Sequence, residues 1–353
     1  MIRYVPFLKA KRGELTAMGE LAPEVKRAIC PCFDFPRRKA KYSPDSYADT
    51  ANSIATSLKK HWGTDAEFYF DDLDVDQKLI VGGEHHYSYM LKVLDKLEVI
   101  PVVALDRITH NAAVASLKGN GQISSDTVAF RAEREDFEDF DSNEDQIDYD
   151  LANVFSEFES IDLILDCRLC TGLNILETAQ QIATFARKFC DLYNVRRMIV
   201  TGSSIPPSSS DVLGTNSDCT VPRRELAIIT RARALSDVDL VAGDYTTVSP
   251  FYSDVDLDPR IMQKVMTARL AYTSNGFHYF IRGSSVGLDG YEQYFDLAQI
   301  LCGQSFFRGA TYSLGDRYLY EKSRRLGRNC TPGAVIKPSV VAHITYMVLD
   351  AKV

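Results

Sequence analysis

Short apolar runs alternate along the chain with polar segments of helical spacing. Each run is rich in β-branched and aromatic residues, and a helix-like segment or a connector of helical length follows it. This alternation implies parallel strands, because parallel neighbours need crossover connections. Eight such units within residues 1–245 predict an α/β fold, a (β/α)8 barrel of the TIM type. The eight runs are YVPFLK, AICPCFDF, AEFYFDD, VIPVVALDR, TVAFRAER, IDLILDCR, RRMIVTGSS and VDLVAGDY.

An open doubly wound sheet is the alternative, since it shows the same alternation. No G-x-G-x-x-G follows the first run, so the dinucleotide-binding version of that fold has no support. After residue 245 the pattern changes. Two β-rich arms flank Asn275-Gly276, which predicts a hairpin, and helix-like segments follow. We therefore expect a barrel over residues 1–245 and a C-terminal hairpin-plus-helix extension, residues 246–353, packed on it.

Charged residues stand at the ends of the apolar runs, where barrels of this type bind ligands. Such charges are costly to bury alone, so we expect them to pair with one another, with water or with a ligand. A solvated rim with ion pairs that close the barrel is the alternative for each. The candidate catalytic residues are Lys9, Asp34, Asp71, Asp106, Asp166 and Asp244. The candidate ligand-binding residues are Lys11, Glu14, Arg131, Arg168, Thr201, Gly202, Ser203, Gly243, Tyr245, Arg282, Asp316 and His343.

These residues favour binding or processing of a phosphorylated or nucleotide-like ligand. The segments TGSS and AGDY follow the seventh and eighth runs, where barrels commonly bind phosphate, although TGSS is also an ordinary polar turn. The lysines and arginines could neutralise the anion, and the aspartates could hold Mg²⁺ or act as a general base. Lys9 could instead form a Schiff base with pyridoxal phosphate, with Lys11 as cationic neighbour. No other feature of the chain requires pyridoxal phosphate, so Mg²⁺ is the better cofactor candidate.

Composition and charge limit the classes of partner. A chain of 353 residues with 45% hydrophobic content can bury a large core, and its net charge of -8 disfavours non-specific nucleic-acid binding. The window 133–150 holds ten acids against one base, Arg134, so it carries -9. A non-catalytic sensor or partner protein that docks through this window is therefore the second hypothesis, and a solvated helix face is the simpler interpretation.

Three further expectations concern location, cysteines and histidines. The chain has no apolar stretch of membrane-spanning length and no basic-then-apolar start, so we expect a cytoplasmic protein with no membrane partner. Cys30 and Cys32 could join Cys167 and Cys170 around zinc, but plain buried thiols are favoured. The pair His85-His86 is expected at the surface and His110 near a helix start, and a lone histidine in an apolar segment is typical of a core.

From end to end the chain resembles the family called beta protein, found in bacteria and tailed phages. The tryptophan expected shortly before the histidine is absent, since Trp62 is the only one. The resemblance implies a barrel fold, no settled activity and a setting in conflict between phage and host, including anti-phage defence. It also implies a role for His343 if the last segment folds back over the barrel mouth. The residues that carry the resemblance are YVPFLKAKRGEL, LAPEVK, DCR, AGDY with Asp244, FIRG with Arg282, YSLGD with Asp316 and HIT with His343.

Overall fold

A closed barrel of eight parallel strands forms the centre of the molecule. The computed structural model describes residues 2–38, 40–208, 213–252 and 266–351. The first strand pairs with both the second and the last, which closes the sheet and excludes the open doubly wound alternative. All eight predicted strands and the predicted fold are confirmed. The barrel strands are β1 Tyr4–Lys9, β2 Cys32–Asp34, β3 Phe68–Asp71, β6 Val99–Val103, β7 Thr127–Glu133, β8 Ser160–Leu169, β9 Val195–Ser203 and β11 Leu240–Asp244.

Helices connect the barrel strands on the outside, and a short hairpin, β4 Ile80–Val81 with β5 Glu84–His85, follows β3. Local signals fix several helix starts. Ser43 and Ser46 form a reciprocal capping box with Pro44 in the first turn, and the Asn174 side chain accepts from two backbone N–H groups. The helices are α1 Arg12–Met18, α2 Pro23–Arg27, α3 Pro44–His61, α4 His86–Val93, α5 Ile108–Gly119, α6 Arg134–Phe137, α7 Phe140–Phe155, α8 Ile175–Leu192 and α9 Arg224–Leu235.

Alternate residues of each strand face opposite sides of the barrel wall. Val5 and Phe7 lie in the apolar cluster inside the barrel, whereas Tyr4 and Leu8 pack in the larger core between the strands and the helices. Two consecutive residues at a strand end therefore lie on different sides of the wall. This alternation decides which of the predicted charges reach the mouth, the end of the barrel at the C-terminal ends of its strands.

The predicted hairpin at Asn275-Gly276 is confirmed. Strands β12 Thr267–Ser274 and β13 Phe277–Ser285 pair antiparallel, and Gly276 takes a φ of +67° in the turn. A third strand, β10 Ser217–Pro222, pairs with β13. Its first residues lie in the segment 203–218, which the sequence predicts to be a loop, and residues 209–212 of that segment lie outside the described residues. Helices α10 Val286–Asp289, α11 Gln293–Cys302 and α12 Leu314–Ser323 follow the sheet.

The last helix, α13 Ile336–Leu349, returns to the barrel. Val340, Val341 and Ile344 pack in the same core as Tyr4 and Leu8 of β1, in the outer layer where a barrel helix lies. The chain between β11 and α13 is thus inserted before the last barrel helix, although the division at residue 245 itself stays a prediction. Within the described ranges, no helix is both long and apolar enough to cross a membrane.

Candidate functional site

Arg131, from β7, occupies the centre of the barrel mouth and is fully buried. Its Nη1 donates to Asp34 Oδ1 and Asp71 Oδ2, each at 2.8 Å, and its Nη2 donates to Asp166 Oδ2 at 2.8 Å and to the Tyr245 hydroxyl at 2.7 Å. Its Nε donates to Asp166 at 3.1 Å. All five guanidinium N–H groups of Arg131 therefore have acceptors. Four other residues predicted for the site, Asp34, Asp71, Asp166 and Tyr245, surround Arg131.

Two more arginines complete this group. Arg107 Nη1 lies 2.7 Å from Asp71 Oδ1, and Arg168 Nη1 donates to the Tyr245 hydroxyl at 3.1 Å. The Tyr245 hydroxyl donates to Asp166 at 2.5 Å. Three guanidinium groups thus face three carboxylates, the balance that lets so many charges be buried together. We call this set the mouth network: Asp34, Asp71, Arg107, Arg131, Asp166, Arg168 and Tyr245.

Burial and pairing act in opposite directions on the carboxylates of the mouth network. Burial alone would raise the pKa of Asp71, but Arg107 and Arg131 outweigh it and hold that pKa below its ordinary value. For Asp34 burial is the stronger effect and raises the pKa despite the attraction of Arg131. The carboxyl groups of the mouth network therefore differ in how firmly they hold a proton.

Two lysines stand at the rim of the mouth. Lys9 Nζ donates to the backbone carbonyl oxygens of Ser249 at 3.0 Å and Phe251 at 3.3 Å. The Tyr252 ring centroid lies 3.8 Å from Lys9 Nζ and 4.4 Å from Lys11 Nζ, within cation–π range. The chain after β11 thus crosses the rim and is held there by cations of β1 and the residues that follow it.

The pKa values of Lys9 and Glu14 are both shifted toward neutrality. Burial lowers the pKa of Lys9 to about 8, although Glu14 opposes this, and burial raises the pKa of Glu14 to about 7. Glu14 Oε1 accepts from the Lys9 backbone N–H at 3.1 Å, which holds it beside β1. Groups with pKa values this close to neutrality suit general acid–base chemistry.

The backbone is strained where the barrel strands end. Asp106, Arg168 and Thr246 take positive φ values of +58°, +51° and +56°, at the ends of β6, β8 and β11. They are three of the five non-glycine residues with positive φ in the described ranges. Such conformations cost about 1–3 kcal/mol each and cluster at functional sites. The pairing of β8 with β9 also shifts register between Asp166 and Leu169, as bulges beside active sites do.

Two buried polar atoms near Asp166 have no hydrogen-bond partner. Arg168 Nε lies 3.8 Å from Glu133 Oε1, too far for a hydrogen bond, and Thr201 Oγ1 also lacks a partner. Thr201 lies opposite Asp166 in the register of β9 with β8. A buried donor without an acceptor costs free energy. A ligand that accepts from these two atoms would therefore gain more binding free energy here than elsewhere in the mouth.

Asp244 and His343 lie outside the barrel wall. Asp244 Oδ1 accepts from the Tyr4 hydroxyl at 2.5 Å, Oδ2 accepts from Arg223 Nη2 at 2.6 Å, and His343 Nε2 of α13 is 2.9 Å from Oδ1. Burial would raise the pKa of Asp244, but His343 and Arg223 hold it well below its ordinary value. All four side chains are buried, and none of them contacts the mouth network.

The same group continues into the hairpin. Thr273 Oγ1 lies 2.7 Å from His343 Nδ1 and 3.0 Å from His278 Nδ1, and His278 Nε2 lies 3.5 Å from Glu225 Oε1. Glu225 Oε1 in turn accepts from Arg223 Nε at 2.9 Å. This closed ring of buried polar groups joins the barrel, α13 and the hairpin, so its evident task is to hold these elements together. The last segment packs beside β1 and not over the mouth.

The comparisons with known proteins bear on the whole chain. The family profile described as Beta protein matches residues 4–349. The chain belongs to this family. A solved structure with a similar chain is an enolase from Pantoea ananatis with bound D-gluconate and Mg, at 13% identity and a TM-score of 0.33, where the match covers 81% of this chain and 63% of the enolase chain. That likeness adds nothing to the barrel topology described above. No curated protein matches the chain significantly.

The TGSS segment, residues 201–204, already makes contacts within the protein at most of its positions. A Cβ on Gly202 would lie 2.5 Å from Cys170 Sγ, so the glycine makes room for a buried thiol. Ser203 Oγ donates to the Val248 carbonyl and accepts from the Ile205 backbone N–H. Only Thr201 of this segment keeps an unpartnered polar side chain, and the predicted phosphate cradle is reduced to that residue.

Two predicted residues, Arg282 and Asp316, lie in the inserted part of the chain. Arg282 Nε donates to Thr267 Oγ1 at 2.9 Å, within the three-stranded sheet. Asp316 is fully buried and accepts from the hydroxyl groups of Tyr272 and Ser313, each at 2.5 Å. Their contacts hold the sheet and α12 in place and do not involve the mouth network.

Asp106 and Gly243 lie at the mouth without joining the network. Asp106 is exposed, and its backbone N–H donates to Asp150 Oδ2 at 2.9 Å. Gly243 faces the inside of the barrel, where a Cβ would lie 3.0 Å from the Phe7 ring. Gly243 therefore makes room for an aromatic ring of the barrel interior.

Sequence reasoning missed several members of these groups. Arg107 directly follows Asp106 at a strand end, so its position was a usable signal. Arg223 and Glu225 stand at the start of α9, where the sequence pattern offers no signal for a functional residue. The prediction that His85 and His86 lie at the surface is wrong, because both side chains are buried.

Metal binding finds no support in the arrangement of these side chains. Three of the carboxylates that could have held Mg²⁺, those of Asp34, Asp71 and Asp166, are paired with guanidinium groups in the mouth network. The carboxylate of Asp244 is paired with Arg223 outside the barrel wall. In the described part of the chain, no group of three or more His, Cys, Asp or Glu side chains is arranged to hold a metal ion. Cys30, Cys32, Cys167 and Cys170 are buried free thiols.

Proposed function

We propose that this barrel protein binds a small phosphorylated or nucleotide-like anion at its mouth. The observation that carries the proposal is Arg168, whose Nε is buried and has no hydrogen-bond acceptor. Its backbone is strained and its side chain is 11% exposed, so the guanidinium is within reach of solvent. An anion at this point would supply the missing acceptor, and Thr201 Oγ1 could donate to it.

The charges around the mouth favour an anion over a cation. The mouth network is balanced by itself, and Lys9 and Lys11 add positive charge at the rim. Glu133, whose Oε1 lies 3.8 Å from Arg168 Nε, adds one carboxyl group, and burial raises its pKa. The acid that faces the two lysines, Glu14, has a pKa of about 7 and is partly protonated near neutral pH. A phosphate group would therefore meet an excess of positive charge.

Lys9 and Glu14 would serve if the bound ligand is also processed. Both titrate close to neutral pH and stand at the rim, so each can give or take a proton there. A setting in conflict between phage and host belongs to the same proposal and rests on the family resemblance alone, whereas the cytoplasmic location stays the expectation drawn from the sequence.

A thermal-shift experiment with inorganic phosphate and nucleoside monophosphates tests the proposal. A ligand at one hundred times its dissociation constant should stabilise wild type by about 2.7 kcal/mol. The variant Arg168→Gln should lose this shift. Arg196→Gln is the matched control, since Arg196 pairs with Asp162 and Glu67 at the opposite end of the barrel. A panel in which nothing stabilises wild type, or an Arg168→Gln variant that responds like wild type, would contradict the proposal.

The second candidate is a partner protein that docks on the acidic window. In the structure four acids of α7, Asp141, Glu144, Asp145 and Asp148, are exposed, and Tyr149, 76% exposed, stands among them. An exposed aromatic ring within a polar face is typical of interfaces. Failure of every small anion, together with protein binding that Tyr149→Ala abolishes, would favour this candidate.

A further inference from the structure

Cations and aromatic rings lead from the mouth to the outside of the barrel. Phe251 lies over the Arg168 guanidinium, with 4.9 Å between the guanidinium carbon and the ring centroid. The next residue, Tyr252, lies over the two lysines of the rim, and its hydroxyl accepts from the Arg37 backbone N–H at 3.1 Å. Two consecutive residues therefore connect the mouth network to the loop between β2 and α3.

That loop presents exposed basic residues beside Tyr252. The Tyr42 hydroxyl donates to the Pro36 carbonyl oxygen at 2.6 Å, which joins the start of the loop to its end. The Arg38 guanidinium lies over the Tyr42 ring, 4.9 Å from its centroid. Both arginines of the loop are exposed. We call the following set the cation row: Arg168, Lys9, Lys11, Arg37 and Arg38.

A cavity of about 460 Å³ lies at the outer end of the cation row, between this loop and the loop that joins β3 to β4. Tyr42, Leu73 and Leu79 give the cavity apolar walls. Arg38 and Lys41 add positive charge to the same lining. A concave site of this size, mostly apolar with a few charged groups, is typical of sites for small organic ligands. We call it the rim cavity.

The charges around the rim cavity favour an anionic ligand. Two acids, Asp74 and Asp76, also line it. Asp76 Oδ2 is paired with Lys41 Nζ at 2.7 Å. Burial lowers the pKa of both rim lysines, and Asp74 is one of the acids that oppose this effect. Apart from Arg168, the cation row and Lys41 supply five bases against these two acids and Glu14, which is partly protonated near neutral pH.

The acidic window lies elsewhere on the barrel and does not oppose an anion here. It covers α6 and most of α7, which follow β7, and β3 and β6 separate β7 from β2 in the barrel. The rest of the chain is close to neutral, because the window carries almost all of the net charge. The net charge therefore limits binding over the whole surface and leaves a local site for a chain of phosphates open.

We propose that the ligand of the mouth is a short single-stranded nucleic acid, with its terminal phosphate at Arg168 and a following nucleotide in the rim cavity. This rests on the proposed function, since the mouth holds the terminal phosphate. Proteins that bind single strands combine cations along the path of the backbone with aromatic rings on which bases stack. The cation row supplies the cations. Phe251, 42% exposed, and Tyr42 of the rim cavity supply the rings.

The first test measures how affinity depends on strand length. Isothermal titration calorimetry with thymidine strands of one to four nucleotides, phosphorylated at either end, should show a gain of about tenfold over the single nucleotide, the scale of one stacked base. Thymidine triphosphate and a tetra-aspartate peptide carry several charges without a second nucleotide, so they should not show this gain. An equal gain with either of them would mean that the rim responds to charge alone and would overturn the proposal.

The second test removes the outer part of the cation row. Arg37→Gln combined with Arg38→Gln should abolish most of the gain with strand length. Loss of two phosphate contacts should also make the plot of log affinity against log salt concentration less steep by about 1.4. The matched control is Arg27→Gln combined with Arg187→Gln, which removes two exposed arginines of α2 and α8. The same length dependence in wild type and the rim variant, or an equal loss in the control, contradicts the proposal.

Inorganic phosphate separates this inference from the proposed function. If phosphate and thymidine monophosphate bind but longer strands bind no more tightly, the proposed function stands and the nucleic-acid assignment is wrong. If neither binds, the proposed function fails, and with it the placement of the terminal phosphate. The rim cavity is then judged by the strand of four nucleotides alone, whose binding the rim variant should weaken about tenfold. No binding of that strand to wild type overturns both.

Discussion

Replacing Arg131 with methionine should destabilise the protein by about 3–5 kcal/mol, the cost of leaving one buried charge without its partner. The structure limits the loss to about one such charge. Asp71 keeps Arg107, and Asp166 keeps the Tyr245 hydroxyl. Asp34 loses the only cation within ion-pair distance of it in the described part of the chain.

The pH dependence of this loss follows from Asp34. Its pKa in the folded protein is already raised by burial, and removal of Arg131 should raise it further. A group whose folded pKa lies above its unfolded value loses stabilising effect as the pH rises through that range. The cost of Arg131→Met should therefore be larger near about pH 7 than near about pH 5, because a lower pH favours the protonated form of Asp34.

Urea unfolding at the two pH values measures both effects. Asp34→Asn combined with Arg131→Met should recover much of the loss, because the double variant buries no unpaired charge at that position. Arg196→Met is the control at the other end of the barrel, where Asp162 keeps the Tyr69 hydroxyl at 2.6 Å. The reasoning is wrong if Arg131→Met costs less than about 1 kcal/mol, or the same at both pH values.

Three further predictions concern single residues. Gly243→Ala should cost about 1–3 kcal/mol in thermal unfolding, because its Cβ would lie 2.8 Å from a carbonyl oxygen of β1, whereas Gly333→Ala, with open space around it, should be neutral. Glu14→Gln should lower the pKa of Lys9 below about 8, since Glu14 opposes the effect of burial; pH-dependent acylation followed by mass spectrometry measures this, and an unchanged value contradicts it. Ser43→Ala should cost about 1 kcal/mol in urea unfolding through loss of the α3 cap, and no loss would show that the capping box is unimportant.

The barrel could be predicted from sequence because each strand carries its own signal. A parallel strand buried on both faces must be apolar over its whole length, and a helix must follow it, so the alternation shows the topology directly. The insertion before α13 was less visible. Strand β10 is short and mostly exposed, and its pairing with β13 is a long-range contact that no local pattern reports.

The candidate site was predicted only in part, since the end of a strand does not tell which side a residue faces. Asp71 reaches the mouth and Asp72 the helix layer, although both end the same apolar run. Asp244 likewise faces α13 while Tyr245 enters the mouth network. Counting alternate positions back to Phe7 or another interior residue would have separated them.

Counting alternate positions along a strand does not reveal that His85 and His86 are buried. His85 and His86 follow a polar stretch and begin a helix, which is typical of exposed residues. His86 lies 2.6 Å from Asp72, which is on another element and has no sequence relation to it, and the ring of His85 packs against that of His86. A buried ion pair between distant segments leaves no periodic trace in either one.

Arg131 holds the mouth network together, whereas Arg168 is the arginine proposed to bind the ligand. Arg131 is the more central, but all five of its donors are taken by buried acceptors, so a ligand could engage it only by displacing a carboxylate or Tyr245. Arg168 is less central and has a buried donor without an acceptor, on a side chain that is 11% exposed. Substituting Arg131 therefore tests folding, and a lost ligand response in that variant would say nothing about contact. Arg168→Gln leaves the three carboxylates with Arg131 and Arg107, so a lost response there reports on the ligand itself.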